Sequence, residues 1–276
     1  MQLYLNGIAL VVGAGQGIGK ATALAYAEAG VRGIVLAGRT LEPLLKAGED
    51  CKAIATHKDF EAYAVPTDIA NEDSVKNLLA KAVEKFGRVD YCANVGGTMG
   101  MKAKFSTIAT EDWLSVQQTN INGIFWLVRE QIRVMEKQER LETPISSERR
   151  PAERGSIVVL SAAAAIIALQ NGGAYTHTKY ATNGLTKAAA QDHAANGIRI
   201  NAILPGYILT EGLAAHPQKT AETAKHIIEA SPLHRFGCAE EVGDMIVMMS
   251  SPRNGYMIGS SVLVDGGQNL SGEAVH

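Results

Sequence analysis

The chain has few cysteines for its length. Cys51, Cys92 and Cys238 are scattered through 276 residues with no C-x-x-C pair and no Cys/His cluster, so neither a zinc site nor a disulfide framework is suggested and no metal is expected. Positive charge is not in excess either. Lys and Arg number 26 against 28 Asp and Glu, a formal net charge of −2, which leaves no basic field for nucleic acid or an anionic membrane. A long apolar run is also missing. The longest, Ile157 to Leu169, is interrupted by Ser161 and is too short to span a bilayer, and no basic flank precedes the first apolar segment. These absences predict a soluble, unprocessed protein in a reducing, cytoplasmic setting. Internal repeats are lacking, and the alanine runs at 162–165 and 188–190 are too short to be low-complexity segments.

What is present is enough apolar sequence, 46% of residues beside 20% charged, to bury one α/β core. Short apolar runs alternate with helical patterns, the signature of βαβ units and a parallel sheet. Strands are predicted at Ile8–Val12, Gly33–Ala37, Ala62–Val65, Val89–Ala93, Ser156–Leu160, Arg199–Leu204 and Ser261–Val264. The expected fold is α/β: a single-domain, Rossmann-like, doubly wound parallel sheet of about seven strands with helices on both faces. It spans 1–276, with a cofactor half over about 1–155 and a catalytic half over about 156–276. Val75, Leu78, Leu79, Ala82, Val83 and Phe86 recur with helical period and predict a buried stripe. Residues 136–154 mix both charge signs with Pro144 and Pro151 and read as a mobile surface insertion.

Chemistry enters at the first strand's end. Gly13, Gly17 and Gly19, with Gln16 and Ile18 between them, let the backbone turn sharply into a helix and approach a pyrophosphate at its N-terminus. A tight turn alone would also use such glycines. The second strand ends in Ala37-Gly38-Arg39-Thr40, where an NAD site usually carries an acid for the ribose 2′-hydroxyl. Arg39 can instead pair with a 2′-phosphate, which favours NADP(H) over NAD; a solvated arginine at a strand end is the plainer alternative. Tyr175 and Lys179 are four apart, one helical turn plus about 40° with a rise of ~6 Å, so their polar ends can share a face. A nearby ammonium is expected to lower the phenol pKa and make it a general acid–base for a substrate oxygen. His177, two residues on, is offset to another face and reads as a packing histidine.

In this order, these motifs resemble the short-chain dehydrogenase/reductase family from about Leu5 to Asn269. Gly13 to Gly19 is similar to its cofactor loop, with Val12 where Thr or Ser is usual. Asp68-Ile69 resembles the adenine-contacting pair. Asn94-Val95-Gly96-Gly97 resembles the family's Asn-Asn-Ala-Gly, keeping its first and last residues, which implies that Asn94 is among the cofactor-binding residues. Pro205-Gly206, Ile208 and Thr210 resemble the turn that meets the nicotinamide or phosphates, and Val264-Asp265-Gly266-Gly267 fits the tail. The resemblance implies that Asn120 holds a water of the proton relay, that Lys179 binds the nicotinamide ribose, and that Tyr175 is the general acid of hydride transfer to a carbonyl. It also implies a homo-oligomer, tetramer or dimer, built through helices around 112–136 and 174–195 and the C-terminal strand.

One position departs from the family. A serine is usual thirteen residues before the tyrosine, where this chain has Ala162 with Ser161 beside it. Strand alternation points Ser161 away from the site unless the strand end bulges, and losing one such donor costs ~2.7–4 kcal/mol in oxyanion-type sites. Three explanations stand: local re-registration that presents Ser161 as a catalytic residue, a substrate with its own orienting group, or an altered activity. Pocket walls are expected from about 97–105, 162–169 and 207–231, where Met99, Met101, Ile166, Leu169, Tyr207, Ile208 and Leu213 outnumber Lys102, Lys104 and Glu211. They suit a bulky apolar ketone or alcohol, secondary-metabolite or lipid-like, with 220–230 as part of a lid. The rival is a protein that keeps the cofactor scaffold for a non-redox cyclisation, an isomerisation or ligand binding.

Overall fold

All seven predicted strands form, and they join in one parallel sheet whose spatial order is 61–66, 33–38, 8–12, 91–94, 155–160, 198–205 and 261–264. The computed structural model describes residues 2–211, 224 and 231–270; the predicted lid, 220–230, lies outside them except for Ala224. In chain order the cofactor half runs β1 (Ile8–Val12), α1 (Gly17–Glu28), β2 (Gly33–Gly38), α2 (Leu41–Ile54), β3 (Glu61–Pro66), α3 (Glu72–Phe86), β4 (Tyr91–Asn94), α4 (Thr110–Gln117) and α5 (Gly123–Met135). The second half adds β5 (Gly155–Leu160), α6 (Gly173–His193), β6 (Ile198–Pro205), β7 (Ile208–Leu209), β8 (Gly237–Cys238), α7 (Ala239–Ser250) and β9 (Ser261–Val264). β7 and β8 form a small separate ladder that the sequence reading lacked.

The sheet is covered on both faces, which is why its central strands read as unbroken apolar runs. Alternation assigns the faces: Leu10 and Val12 of β1 point to the core shared with α3, α5 and α6, while Ala9 and Val11 point to that of α1, α2 and α7. The α3 stripe holds for Val75, Leu78, Leu79 and Ala82, all buried, whereas Val83 reaches the surface at the stripe's edge. β1 pairs with β2 on one side and β4 on the other, so the strand order reverses there and leaves a crevice at the carboxyl ends.

Two segments differ from expectation for reasons remote in sequence. The single helix predicted around 112–136 is two helices joined by a π turn, Gln118–Asn122. Gly123 lies so close to the loop after β3 that a Cβ there would sit 2.6 Å from the Ile69 carbonyl oxygen, and Gln118 Nε2 donates to the Ala70 carbonyl at 2.8 Å. The wider turn fits the helix around that loop, and such turns recur at functional sites. Residues 136–154, predicted as a mobile insertion, are instead tied down as a hairpin. Leu141 bridges Glu153, Arg140 donates to the Ala152 carbonyl, and Arg154 to that of Asn196. Glu153 meets Arg199 of β6 at 2.8 Å, with the guanidinium almost wholly buried.

Candidate active site

The crevice is built first by backbone. Gly13 turns the chain after β1 with φ 89° and donates to the Ala37 carbonyl. A Cβ on Gly19 would stand 2.0 Å from the Gly13 carbonyl oxygen, so any side chain there would break the turn. α1 begins at Gly17 with Gln16 at its N-cap making no side-chain bond, and its first amides are left for an anion. Ile18 packs into the core beneath. Thr210 lies against Gly17, 3.2 Å from where a Cβ would be, bringing the turn after β6 to this loop. That turn is held by Gly206, where a Cβ would collide with Asp265 and Gln268.

Around the loop, Arg39 ends β2 exposed and without an ion-pair partner among the described residues. Asp68 is exposed and spends one carboxylate oxygen on the Ala70 amide, while Ile69 is buried at the foot of α5. This cradle of small residues, helix amides, a free guanidinium and a carboxylate fits a dinucleotide. Asn94 takes a different place from the one expected. Its amide is buried in a reciprocal pair with Gln131, at 2.9 and 2.8 Å, so its side chain braces β4 on α5 and is closed to a cofactor.

The catalytic candidates converge on the same opening. A Cβ on Gly97 would lie 3.2 Å from Asn120 Oδ1 and 3.9 Å from Lys179 Nζ, so the missing side chain keeps this space clear. The π turn buries Asn120, whose amide nitrogen donates to the Thr98 carbonyl and to Thr178 Oγ1 while its oxygen accepts from the Thr98 amide. Thr178 had no role in the sequence reading. Three residues after Tyr175 it shares that face of α6, and its hydroxyl, which also donates to the Tyr175 carbonyl, ties Asn120 to the tyrosine's own turn. Lys179 Nζ donates to the Leu160 carbonyl at 2.9 Å and lies 5.4 Å from the Tyr175 ring centre. The Tyr175 hydroxyl has no hydrogen-bond partner among the described residues.

Burial sets the electrostatics. It pushes the Tyr175 phenol up to about 12 and the Lys179 ammonium down to about 8, because each charged form loses water. This reverses the expectation that the lysine lowers the phenol: the ammonium is turned to the Leu160 carbonyl. Ser161 is likewise turned inward. It is buried and its hydroxyl donates to the Lys179 carbonyl at 3.0 Å, so no bulge presents it to the crevice, and Ala162 takes the opposite, half-buried position. His177 stacks on Trp113, centroids 4.5 Å apart, as a packing residue. Met99, Met101, Phe105 and Ile166 are exposed around the mouth. A cavity of about 320 Å³ beside the β6 turn is lined by Tyr207, Ile208, Leu233, Arg235 and Leu263 among others, without touching Tyr175.

Comparison with known proteins matches residues 13–269 to the family described as enoyl-(acyl carrier protein) reductase. The chain is 36% identical to the short-chain dehydrogenase srdC of Neurospora crassa, over 97% of this chain and 98% of that protein. It is 36% identical to the short-chain dehydrogenase anuF of Penicillium roqueforti, over 98% of each. Among solved structures, one from Agrobacterium tumefaciens with bound NADP superposes with a TM-score of 0.82 at 27% identity, covering 98% of this chain and 99% of that one.

Proposed function

The chain belongs to the short-chain dehydrogenase/reductase family of oxidoreductases, and from that premise we propose that it moves a hydride between NADP(H) and a carbonyl or secondary alcohol of a bulky, apolar small molecule. The observation that carries this reading is the Tyr175 phenol, without a hydrogen-bond partner among the described residues, set with Lys179, Asn120 and Gly97 at the point where the strand order reverses. When bound, the reduced cofactor supplies the hydride. Tyr175 supplies the proton: a phenol held near 12 is protonated at neutral pH and donates from its oxygen to the substrate oxygen as charge develops there. Lys179 binds the nicotinamide ribose through the protons it does not give to Leu160, and Asn120, anchored by Thr98 and Thr178, holds the relay water. The cofactor set is completed by Gly13, Gln16, Gly17, Ile18, Gly19, Asp68, Ile69, Pro205, Gly206, Ile208 and Thr210.

Arg39 supports the NADP preference, since it is exposed and has no ion-pair partner among the described residues where the 2′-substituent of the ribose is expected. Replacing it as Arg39→Asp is expected to weaken NADPH binding at least ~30-fold, about 2 kcal/mol of charge-assisted bonding, and to leave NADH within a few-fold. Fluorescence titration of both cofactors checks this, and equal loss for both would remove Arg39 from the site. The exposed Leu114 and Phe125 on α4 and α5 support assembly as a homotetramer or dimer, testable by sedimentation. A non-redox role is set aside because the similar proteins are named short-chain dehydrogenases and an isomerisation or cyclisation has no use for a hydride carrier beside its proton donor.

A further inference from the structure

The inference drawn here rests on the redox reading and concerns the substrate's own structure. A carbonyl oxygen has two lone pairs, and both want donors as hydride addition charges it. Several polar side chains around Tyr175 are engaged elsewhere. Asn120 gives its amide protons to Thr98 and Thr178. Ser161 gives its proton to the Lys179 carbonyl and Thr178 to the Tyr175 carbonyl, while the Thr176 oxygen accepts from the Leu169 amide, which holds it to the loop after β5. Lys179 bonds Leu160 and has its remaining protons for the ribose. Ala162, on the side of the strand end opposite Ser161, carries no donor. Tyr175 therefore supplies one donor, and neither Ser161, turned inward, nor Ala162 supplies the second that such an oxygen accepts.

We propose that the second donor is carried by the substrate: the site takes β-hydroxy carbonyl compounds, whose hydroxyl closes a six-membered internal hydrogen bond onto the reacting oxygen. The step balances without further reagents. The carbonyl carbon gains the hydride, its π pair moves to oxygen, Tyr175 hands that oxygen its proton, and the internal hydroxyl keeps its own proton while bonding the developing charge; the cofactor leaves oxidised and solvent reprotonates Tyr175. An internal donor is already oriented, and the Ala162 side chain offers it no competing partner. Alanine at 162 also leaves room for the extra hydroxyl where a hydroxylated side chain would crowd it.

The test compares three small ketones with purified protein and NADPH: an ortho-hydroxyphenyl alkyl ketone, its para isomer, whose hydroxyl cannot reach the carbonyl, and the ortho-methoxy ether, which has no proton to give. The ortho-hydroxy compound is expected to turn over ~100-fold faster than the other two, the scale of one oxyanion donor, while calorimetric Kd values for all three agree within a few-fold. Ala162→Ser is expected to narrow the gap by raising the para isomer. Equal turnover of the three would overturn the inference and leave the reductase standing, since the second donor would then come from the protein. A gap that lies wholly in Kd would overturn it too, as a matter of fit. Binding of all three with no NADPH oxidation would remove the redox reading and this inference with it.

Discussion

Tyr175 and Lys179 are perturbed in opposite directions by the same cause, and the signs of the two effects are separable. Lys179 sits at about 8 in the fold against its ordinary 10.5, so between those values the unfolded chain holds more protons and stability rises with pH. Tyr175 sits at about 12 against 10, so between about 10 and 12 the folded chain holds more protons and stability falls. Because burial also raises the Cys51 and Cys92 thiols, which oppose this rise above about 9, the Lys179 effect is read by urea unfolding as the difference between wild type and Lys179→Met, which has no proton to lose, and that difference is expected to grow in favour of the wild type from pH 8 towards 10. A variant that kept the wild-type slope would place the titration elsewhere. For catalysis the same lysine predicts that reductive turnover declines above about pH 8, as the ammonium proposed to hold the ribose discharges, while the phenol remains protonated. A pH profile flat to 10 would contradict this.

At the scale of elements, the π turn between α4 and α5 decides whether Asn120 faces the crevice or the core. Gly123 permits it by its contact with the Ile69 carbonyl. Gly123→Ala must move the helix or the loop, and is expected to cost about 1–3 kcal/mol of stability and to lower turnover disproportionately as Asn120 shifts; thermal unfolding and kinetics together measure both. Unchanged turnover in a destabilised variant would mean that the turn serves packing alone. This element also shows what sequence does and does not disclose. The strands were legible because burial on both faces writes continuous apolar runs, as in β1 and β6. The glycine loop was legible because its geometry admits nothing larger. The π turn depends on a contact between residues 69 and 123, and local periodicity carries no trace of it. Likewise Asn94 was read from its neighbours as a cofactor residue, but Gln131, far along the chain, claims its amide. Ser161 was ambiguous for want of the Lys179 carbonyl that accepts its proton.

Across the whole molecule, the hairpin at 136–154 is joined to the opposite end of the sheet from the crevice. Glu153 neutralises Arg199, whose guanidinium also donates to the carbonyls of Met249 and Ser250, so hairpin, β6 and α7 share one buried charge. Sequence marked this segment only by its mixed charge and prolines, because a surface acid and a core counter-ion look alike until the fold pairs them. Glu153→Ala leaves the guanidinium buried and unpaired, and is expected to cost about 3–5 kcal/mol in urea unfolding without altering the turnover of the folded fraction; a loss below 1 kcal/mol would show that the carbonyls suffice. The role we propose for the crevice at the other end is proton transfer from Tyr175 during hydride transfer. Single-turnover oxidation of bound NADPH by a reactive ketone, compared between wild type and Tyr175→Phe, tests it most directly. A rate lowered ~100- to 10,000-fold with NADPH affinity unchanged is the predicted result; a phenylalanine variant that oxidises NADPH at the wild-type rate would contradict the account.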